Sequence, residues 1–146
     1  MASPYILEAL GVFEATIGST PLVAGDLVYH DGTDWEKAVA DDINKAAMAF
    51  AVRGGESLRP GQFALYGLLV DTDAPYTAKD VQYLSATAGA HTATAPTSPQ
   101  TIGRALSTSV VRLDVTSFGT ALTVNGGATA QALIIDATSG AYIVFR

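Results

Sequence analysis

The fold class is decided by the stretch Gly25-Asp26-Leu27-Val28-Tyr29-His30-Asp31-Gly32-Thr33-Asp34-Trp35-Glu36-Lys37-Ala38. Two β-prone runs, Asp26 to Tyr29 and Trp35 to Val39, lie on either side of Asp31-Gly32. An Asp-Gly pair between alternating apolar residues is among the strongest hairpin signals, because both residues tolerate the backbone angles of a tight turn. The sequence therefore predicts two antiparallel strands joined by a short turn.

The rest of the chain continues this pattern of short β-prone runs and turn residues. Turn signals recur about every eight to twelve residues, the spacing typical of an all-β sandwich or barrel. The further runs predicted as strands are Ala47 to Arg53, Gln62 to Val70, Val81 to Leu84, Thr101 to Leu106, Val110 to Val115, Leu133 to Ile135 and Tyr142 to Phe145. We therefore expect an all-β fold, a single β-sandwich or barrel-like domain. Only Asp41 to Met48 suggests a helix, of at most one turn, capped by Asp41 or Asp42.

The first twenty residues leave two alternatives open. Their apolar residues follow neither a period of 2 nor one of 3.6, and Gly18-Ser19-Thr20-Pro21 then breaks the chain. Residues 1–20 are either the first strand of the domain or an arm that contacts a partner. If they form an arm, deletion of Met1 to Gly18 should leave the β domain folded.

A weak internal repeat appears at a shift of 54 residues. Asp26 and Tyr29 match Asp80 and Tyr83, and the small-large pattern from Met48 to Val52 recurs from Ile102 to Leu106. The repeat predicts two copies of one β unit, which could pack face to face.

Composition excludes several classes of protein. The hydrophobic fraction is 49% and the charged fraction 15%, so most of the chain should be ordered. A net charge of −6 without a Lys/Arg stripe argues against nucleic-acid binding. The absence of cysteine excludes disulfides and thiolate metal sites. No apolar run approaches the ~18 residues that span a membrane, and the start lacks a basic signal-peptide region, so we expect the protein to act where it is made or on something assembled there.

No motif selects a metal site. His30, Asp31 and Asp34 lie close together, but they have too few neighbouring ligands for zinc. Asp71-Thr72-Asp73 begins like a calcium loop and then runs into Ala74-Pro75-Tyr76, without the remaining ligands. We interpret both stretches as turns and predict no metal.

Nor does a motif select a catalytic site, although a pair of carboxylates meeting in space cannot be identified from sequence. There is no Gly-x-Ser-x-Gly elbow, and the Gly-Gly pairs lack the Lys-Ser/Thr of a phosphate loop. We predict no catalysis and no cofactor. The larger aromatics favour core or interface positions, with a sugar-binding platform as the alternative; they are Trp35, Tyr29, Tyr66, Tyr76 and Tyr83.

The C-terminal stretch from Ala105 to Arg146 is poor in charge. Only Arg112, Asp114, Asp136 and Arg146 are charged there. Charged residues are depleted in the cores of interfaces, so we expect this stretch at the contacts of a homo-oligomer. The side chains predicted at that interface are Phe118, Leu122, Leu133, Ile135, Tyr142 and Phe145. We divide the chain into residues 1–20, a β module at 21–115 and a C-terminal β extension at 116–146.

Several stretches resemble the capsid decoration and head-fibre proteins of tailed bacteriophages. They are Gly25 to Tyr29, Asp31 to Ala38, Tyr76 to Ser85, Thr92 to Pro96 and Ile102 to Ser107. The resemblance covers roughly residues 22 to 115, and residues from Thr116 onward look like an addition to the usual module.

The resemblance implies a non-enzymatic structural protein of the virion without a cofactor. It implies a homotrimer that is made in the host cytoplasm, binds the major capsid protein on the outer head surface and stabilises the head. With it, the candidate capsid or neighbour contacts are Tyr5, Leu7, Leu10 and Phe13. The alternative is a host-receptor or carbohydrate-binding module of a phage head or tail fibre. Nucleic acid and membrane are not expected partners.

Overall fold

The computed structural model describes residues 3–73 and 75–115 as two packed antiparallel β-sheets. The six-stranded sheet has the order β1 (Tyr5–Leu10), β7 (Tyr66–Val70), β11 (Val110–Asp114), β10 (Thr101–Ala105), β8 (Val81–Leu84) and β9 (His91–Thr92). The five-stranded sheet has the order β2 (Phe13–Thr16), β6 (Pro60–Ala64), β5 (Ala49–Ala51), β3 (Leu27–His30) and β4 (Trp35–Lys37). The arrangement is sandwich-like and not a closed barrel, which confirms the all-β prediction.

Most predicted strands up to residue 115 are present, with shifted ends. The run from Gln62 to Val70 is two strands, β6 and β7, separated by Leu65, and β9 was not predicted. The predicted helical turn is a 3-10 turn, Ile43–Lys45, whose cap Asp42 accepts a hydrogen bond from the Asn44 amide at 3.0 Å. The runs Leu133 to Ile135 and Tyr142 to Phe145 lie outside the described residues.

The predicted hairpin at Asp31-Gly32 joins β3 to β4, with His30 paired to Trp35. The Asp31 carboxylate accepts hydrogen bonds from the amides of Thr33 at 2.8 Å and Asp34 at 2.9 Å, and Gly32 has a φ of +107°. The side chain therefore closes the turn, as the residue preference of such turns requires.

A bent ribbon of two long strands joins the sheets. β1 pairs with β7 in the six-stranded sheet, and β2 pairs with β6 in the five-stranded sheet. Both long strands bend at the same point, where the Leu65 amide donates to the Leu10 carbonyl at 3.2 Å and Gly11 takes a φ of +67°. The register is otherwise unbroken except at Leu7, the extra residue of a β-bulge.

The N-terminal segment is therefore built into the sandwich, and the arm alternative is wrong. Ile17, the residue after β2, is only 1% exposed, and Phe13 packs against the same core cluster. Deletion of Met1 to Gly18 would remove these side chains and both edge strands. The remaining domain is therefore not expected to stay folded after this deletion.

The internal repeat is visible in the strand order and in the hydrogen bonds. We call residues 23–64 unit 1 and residues 77–115 unit 2. The order β6-β5-β3-β4 of unit 1 corresponds to β11-β10-β8-β9 of unit 2. In unit 1, Gly25 donates to the Ala51 carbonyl and the Ala51 amide donates to the Asp26 carbonyl, both at 2.8 Å.

Unit 2 repeats this pair of hydrogen bonds 54 residues later. Lys79 donates to the Ala105 carbonyl at 2.8 Å, and the Ala105 amide donates to the Asp80 carbonyl at 2.9 Å. The φ angles also match, +89° at Gly25 and +79° at Lys79. The repeat is therefore a repeat of backbone structure, although few side chains are shared.

The two units are stacked in the same orientation, so the faces that meet are not equivalent. Phe50 of β5 points into the main core between the sheets, while its neighbours Ala49 and Ala51 face a second core on the far side of unit 1. At the equivalent positions of unit 2, Arg104 points outward and Ala105 faces the main core. Unit 2 thus covers the Phe50 face of unit 1.

Candidate docking face

The candidate site is the outer face of the six-stranded sheet, which we call the open face. Its central row crosses five strands in register and consists of Glu8, Leu68, Arg112, Arg104 and Val81. Neighbouring rows contain Tyr5, Val70 and Val110 on one side, and Leu10, Tyr66 and Asp114 on the other. Because side chains alternate along a strand, the intervening residues, such as Leu69, Val111 and Leu113, point into the main core.

The repeat relates the open face to a face that is already a packing surface. In unit 1, Phe50 pairs with Ala64 across β5 and β6, and both side chains lie in the main core. The pair at the same place in unit 2 is Arg104 and Arg112 across β10 and β11. The open face is therefore the equivalent of the face through which unit 1 binds unit 2, with two arginines where unit 1 has phenylalanine and alanine.

Arg104 and Arg112 form the positive centre of the open face. Both side chains are exposed, and they line a cleft of about 180 Å³ together with Val81, Thr101, Gly103 and Asp114. The two ion pairs between described residues use Lys37 and Lys45 instead. Like charges directly opposite each other on neighbouring strands are destabilising. The two arginines therefore place two positive charges on neighbouring strands at the centre of the open face.

Apolar side chains surround the two arginines. Leu10 is 56% exposed and Leu106 is 51% exposed, whereas Val70 is buried and does not add to the exposed patch. Leu68 lies between Glu8 and Arg112 in the central row. An apolar patch with a few charges is the composition expected of a protein-binding surface, where arginine is enriched.

The structure separates the four N-terminal residues predicted as contacts. Leu10 and the half-buried Tyr5 lie on the open face, and Leu7, 60% exposed, lies in the bulge at the edge of the sheet. Phe13 packs against Trp35 and Phe63, with ring centroids 5.3 Å and 5.6 Å away, so its ring belongs to the second core. The contact roles themselves remain predictions.

A second concavity, of about 280 Å³, lies beside Tyr76 and His91. The Tyr76 hydroxyl and His91 Nε2 are 3.0 Å apart, and their rings are stacked. Burial raises the pKa of Tyr76 to about 12, with a smaller contribution from the charge of Asp71. Burial lowers the pKa of His91, and Asp71 opposes that shift. The neutral imidazole and the protonated phenol therefore satisfy each other.

The carboxylates beside this concavity are also satisfied within the fold. Asp71 Oδ1 accepts hydrogen bonds from the Ser3 hydroxyl at 3.1 Å and the Asp73 amide at 3.0 Å. Asp26 accepts from the Val23 amide at 2.9 Å and pairs with Lys37 at 3.3 Å. Burial nevertheless raises the pKa of Asp26, because the two partners only partly offset the loss of hydration. The hydrogen bonds and the ion pair of these two carboxylates therefore connect neighbouring loops of the fold.

The two stretches examined as metal sites form turns. His30 Nδ1 accepts from the Gly32 amide at 3.1 Å, and hydrogen bonds from the Asp34 and Thr33 amides lower the pKa of Asp31. Within residues 3–73 and 75–115, no group of three or more His, Asp or Glu residues could hold a metal ion. The same residues contain no helix long and apolar enough to cross a membrane.

The larger aromatics do not share one platform. Trp35 is stacked on Phe63 in the second core at 5.3 Å, whereas Tyr29 and Tyr76 pack against the main core. Tyr66 lies on the open face, paired with Leu10. The predicted interface side chains lie outside the described residues and remain predictions; they are Phe118, Leu122, Leu133, Ile135, Tyr142 and Phe145.

Comparison with known proteins adds no name to these observations. No protein-family model matches the chain, and no curated protein matches it. Sequence reasoning missed the open face because Arg104 and Arg112 are unremarkable as single residues. The signal that could have found them was the repeat, which aligns Phe50 with Arg104 and shows an apolar position replaced by a charge.

Proposed function

We propose that the protein is a non-enzymatic structural protein of a bacteriophage virion, which binds the outer capsid surface as a homo-oligomer and stabilises the head. The observation that carries this proposal is the open face. It is an apolar sheet surface with central arginines, equivalent in the repeat to a face that packs against another β unit. The equivalent face of unit 1 is covered by a β unit, which supports a protein partner as the cover of the open face.

The proposed mechanism is clamping of neighbouring capsid subunits. A protein that binds the assembled shell and not its dissociated subunits stabilises the shell by mass action. An oligomer that attaches at several points gains avidity without new kinds of contact. The major capsid protein is the expected partner, and a trimer is the expected oligomer.

The first experiment tests docking through the open face with Leu10→Glu. Purified protein is mixed with mature heads that lack it, and the bound fraction is measured by co-sedimentation. A carboxylate in place of Leu10 would be desolvated on docking, so we expect about tenfold weaker binding, the size of effect that a buried polar mismatch produces at an interface. Protection of the heads against heat and DNA loss should fall in parallel.

The matched control is Ile43→Glu. Ile43 is 76% exposed and lies on the 3-10 turn, outside the strands that form the open face. This variant makes the same change of charge and should bind as the unchanged protein does. If the unchanged protein fails to bind heads, decoration is refuted. If Leu10→Glu binds as well as Ile43→Glu, docking is by another surface.

A further inference from the structure

We propose that Arg104 and Arg112 bind carboxylates, the side chains of aspartate or glutamate residues on the shell protein that the open face contacts. The proposal rests on the proposed function and names the chemistry of the partner at the centre of that face. The stability of the fold does not explain why two arginines lie opposite each other, and the proposal gives them a role in recognition.

The first reason is the register of the two strands. Arg104 and Arg112 are directly opposite each other on β10 and β11, so their side chains leave the sheet side by side. Two neighbouring guanidinium groups repel in the free protein. A carboxylate placed between them removes that repulsion and gains two charge-assisted contacts, which makes an acidic partner the favoured one.

The second reason is the geometry of the side chains. Guanidinium is planar and donates two parallel hydrogen bonds that match the two oxygens of a carboxylate. The two arginines line a cleft of about 180 Å³ together with Thr101, which gives a carboxylate a place beside them.

The third reason is the surroundings of the pair. Leu68 and Val81 flank the two arginines in the central row and keep water away once a partner is bound. Desolvated arginine contacts inside an apolar ring are typical of the residues that dominate binding energy. Asp114 lines the same cleft, so two positive groups face one negative group there.

The net charge of the protein sharpens this inference. The net charge is −6, so the protein as a whole has no long-range attraction for an acidic partner. At physiological salt, charges more than about 8 Å apart are largely screened, so the local contact dominates. The arginine pair then decides where an acidic surface can approach.

The test compares two double variants with the same change of charge. Arg104→Glu with Arg112→Glu alters the proposed site. Arg53→Glu with Arg59→Glu alters two exposed arginines of unit 1, in the connection between β5 and β6. We expect the first to bind mature heads about 100-fold more weakly, the loss expected for two charge-assisted contacts. The second should bind within about threefold of the unchanged protein.

A conservative variant separates charge from geometry. Arg104→Lys with Arg112→Lys keeps both charges but loses the paired hydrogen bonds, and we expect about tenfold weaker binding. Equal losses in both glutamate variants would show a general charge effect and overturn the proposal. Unchanged binding of the Arg104→Glu, Arg112→Glu protein would overturn it too, while decoration would stand.

A measurement on the isolated protein decides the inference if heads are not bound at all. The NMR signals of the arginine Nε–H groups are followed during titration with a tetraglutamate peptide and, separately, with inorganic phosphate. Saturable shifts of Arg104 and Arg112 with the peptide, and not of Arg53 and Arg59, support carboxylate recognition. No shift, or a response to phosphate alone, overturns it. So does a change of oligomer mass in the Arg104→Glu, Arg112→Glu protein, since the pair would then be a subunit contact.

Discussion

Unit 1 and unit 2 share a backbone and differ in what their faces carry. Both have the same order of four strands and the same pair of hydrogen bonds at Gly25–Ala51 and Lys79–Ala105. In unit 1 both faces are covered, one by unit 2 and the other by the second core around Phe63 and Ile17. In unit 2 only one face is covered by described residues. The strand pattern is the same in both units, so the difference between core and surface lies in the side chains. Phe50 and Ala64 lie in the main core, whereas Arg104 and Arg112 at the equivalent positions are exposed.

The covering of unit 1 also explains the role of the N-terminal ribbon. Phe13 and Ala15 of β2 pack on the second core, together with Trp35 of β4. Ile17 bridges to Trp35, and the Gly18 amide donates to the Trp35 carbonyl at 2.8 Å. The ribbon therefore caps unit 1, as a terminal cap does in stacked repeats, where an uncovered apolar face must be closed. The other end of the stack carries arginines in its central row.

The largest expected effect comes from exchanging the central residues of the two units. Phe50→Arg places an unpaired charge in the main core, where Phe50 is completely buried, and should lower the free energy of unfolding by about 4 kcal/mol or more. Arg104→Phe at the equivalent exposed position should change it by no more than about 0.5 kcal/mol. Urea unfolding followed by tryptophan fluorescence of Trp35 measures both.

Phe50→Ala keeps this comparison informative if Phe50→Arg does not fold. The cavity left by the ring should cost about 3–5 kcal/mol. A loss of similar size from Arg104→Phe would contradict the distinction between the two faces.

A smaller effect is expected at a second pair of equivalent residues, Ala49 and Gly103. A side-chain carbon added at Gly103 would collide with the backbone carbonyl oxygen of Arg112, so β10 and β11 would have to separate. We expect Gly103→Ala to cost about 1–3 kcal/mol, the usual range for overpacking. Ala49, at the same place in unit 1, already carries that methyl group and is buried.

The reverse substitution, Ala49→Gly, sharpens the test. It should cost about 1–2 kcal/mol, through the lost methyl burial and the greater freedom of the unfolded chain. Chemical unfolding of both variants checks the pair. If Gly103→Ala is neutral or stabilising, strand spacing in unit 2 is looser than the structure shows.

The sequence predicted what depends on short-range patterns. The Asp31-Gly32 turn, the cap at Asp42 and the strand Val81–Leu84 follow from residue preferences that act over a few positions. The repeat was also visible, because Asp26 and Asp80 begin equivalent strands. These local signals were enough to predict an all-β sandwich.

The sequence did not predict which faces meet. The ribbon of β1 and β2 has no clean period, because its strands bend at Gly11 and pass from one sheet to the other, with a bulge at Leu7. Such a bend exchanges inward and outward positions, so Leu10 is exposed while the partly buried Phe13 packs against the second core. The proximity of Arg104 and Arg112 depends on the register between strands and cannot be read from their separation in the chain.

The smallest expected effect is a dependence on pH at His91, which lies 54 residues after Lys37 in the chain. Lys37 in unit 1 pairs with Asp26, whereas His91 in unit 2 is partly buried against Tyr76. Burial lowers the pKa of His91 from its ordinary value of 6.5. As the pH falls below 6.5, the unfolded chain therefore takes up a proton at this histidine before the folded protein does, and the unfolded state is favoured.

The His91 contribution to stability is accordingly complete above pH 6.5 and is lost as the pH falls through the lower pKa of the folded state. One proton limits the slope to about 1.4 kcal/mol per pH unit. His91→Gln cannot take up this proton but keeps an amide able to bond the Tyr76 hydroxyl. Between pH 7.5 and 5, the unchanged protein should thus lose stability relative to His91→Gln in urea unfolding. The comparison removes every contribution to the pH dependence that both proteins share. Parallel pH profiles would mean that His91 is solvated in the folded protein, and the contrast between a partly buried histidine in unit 2 and a paired lysine in unit 1 would then fail.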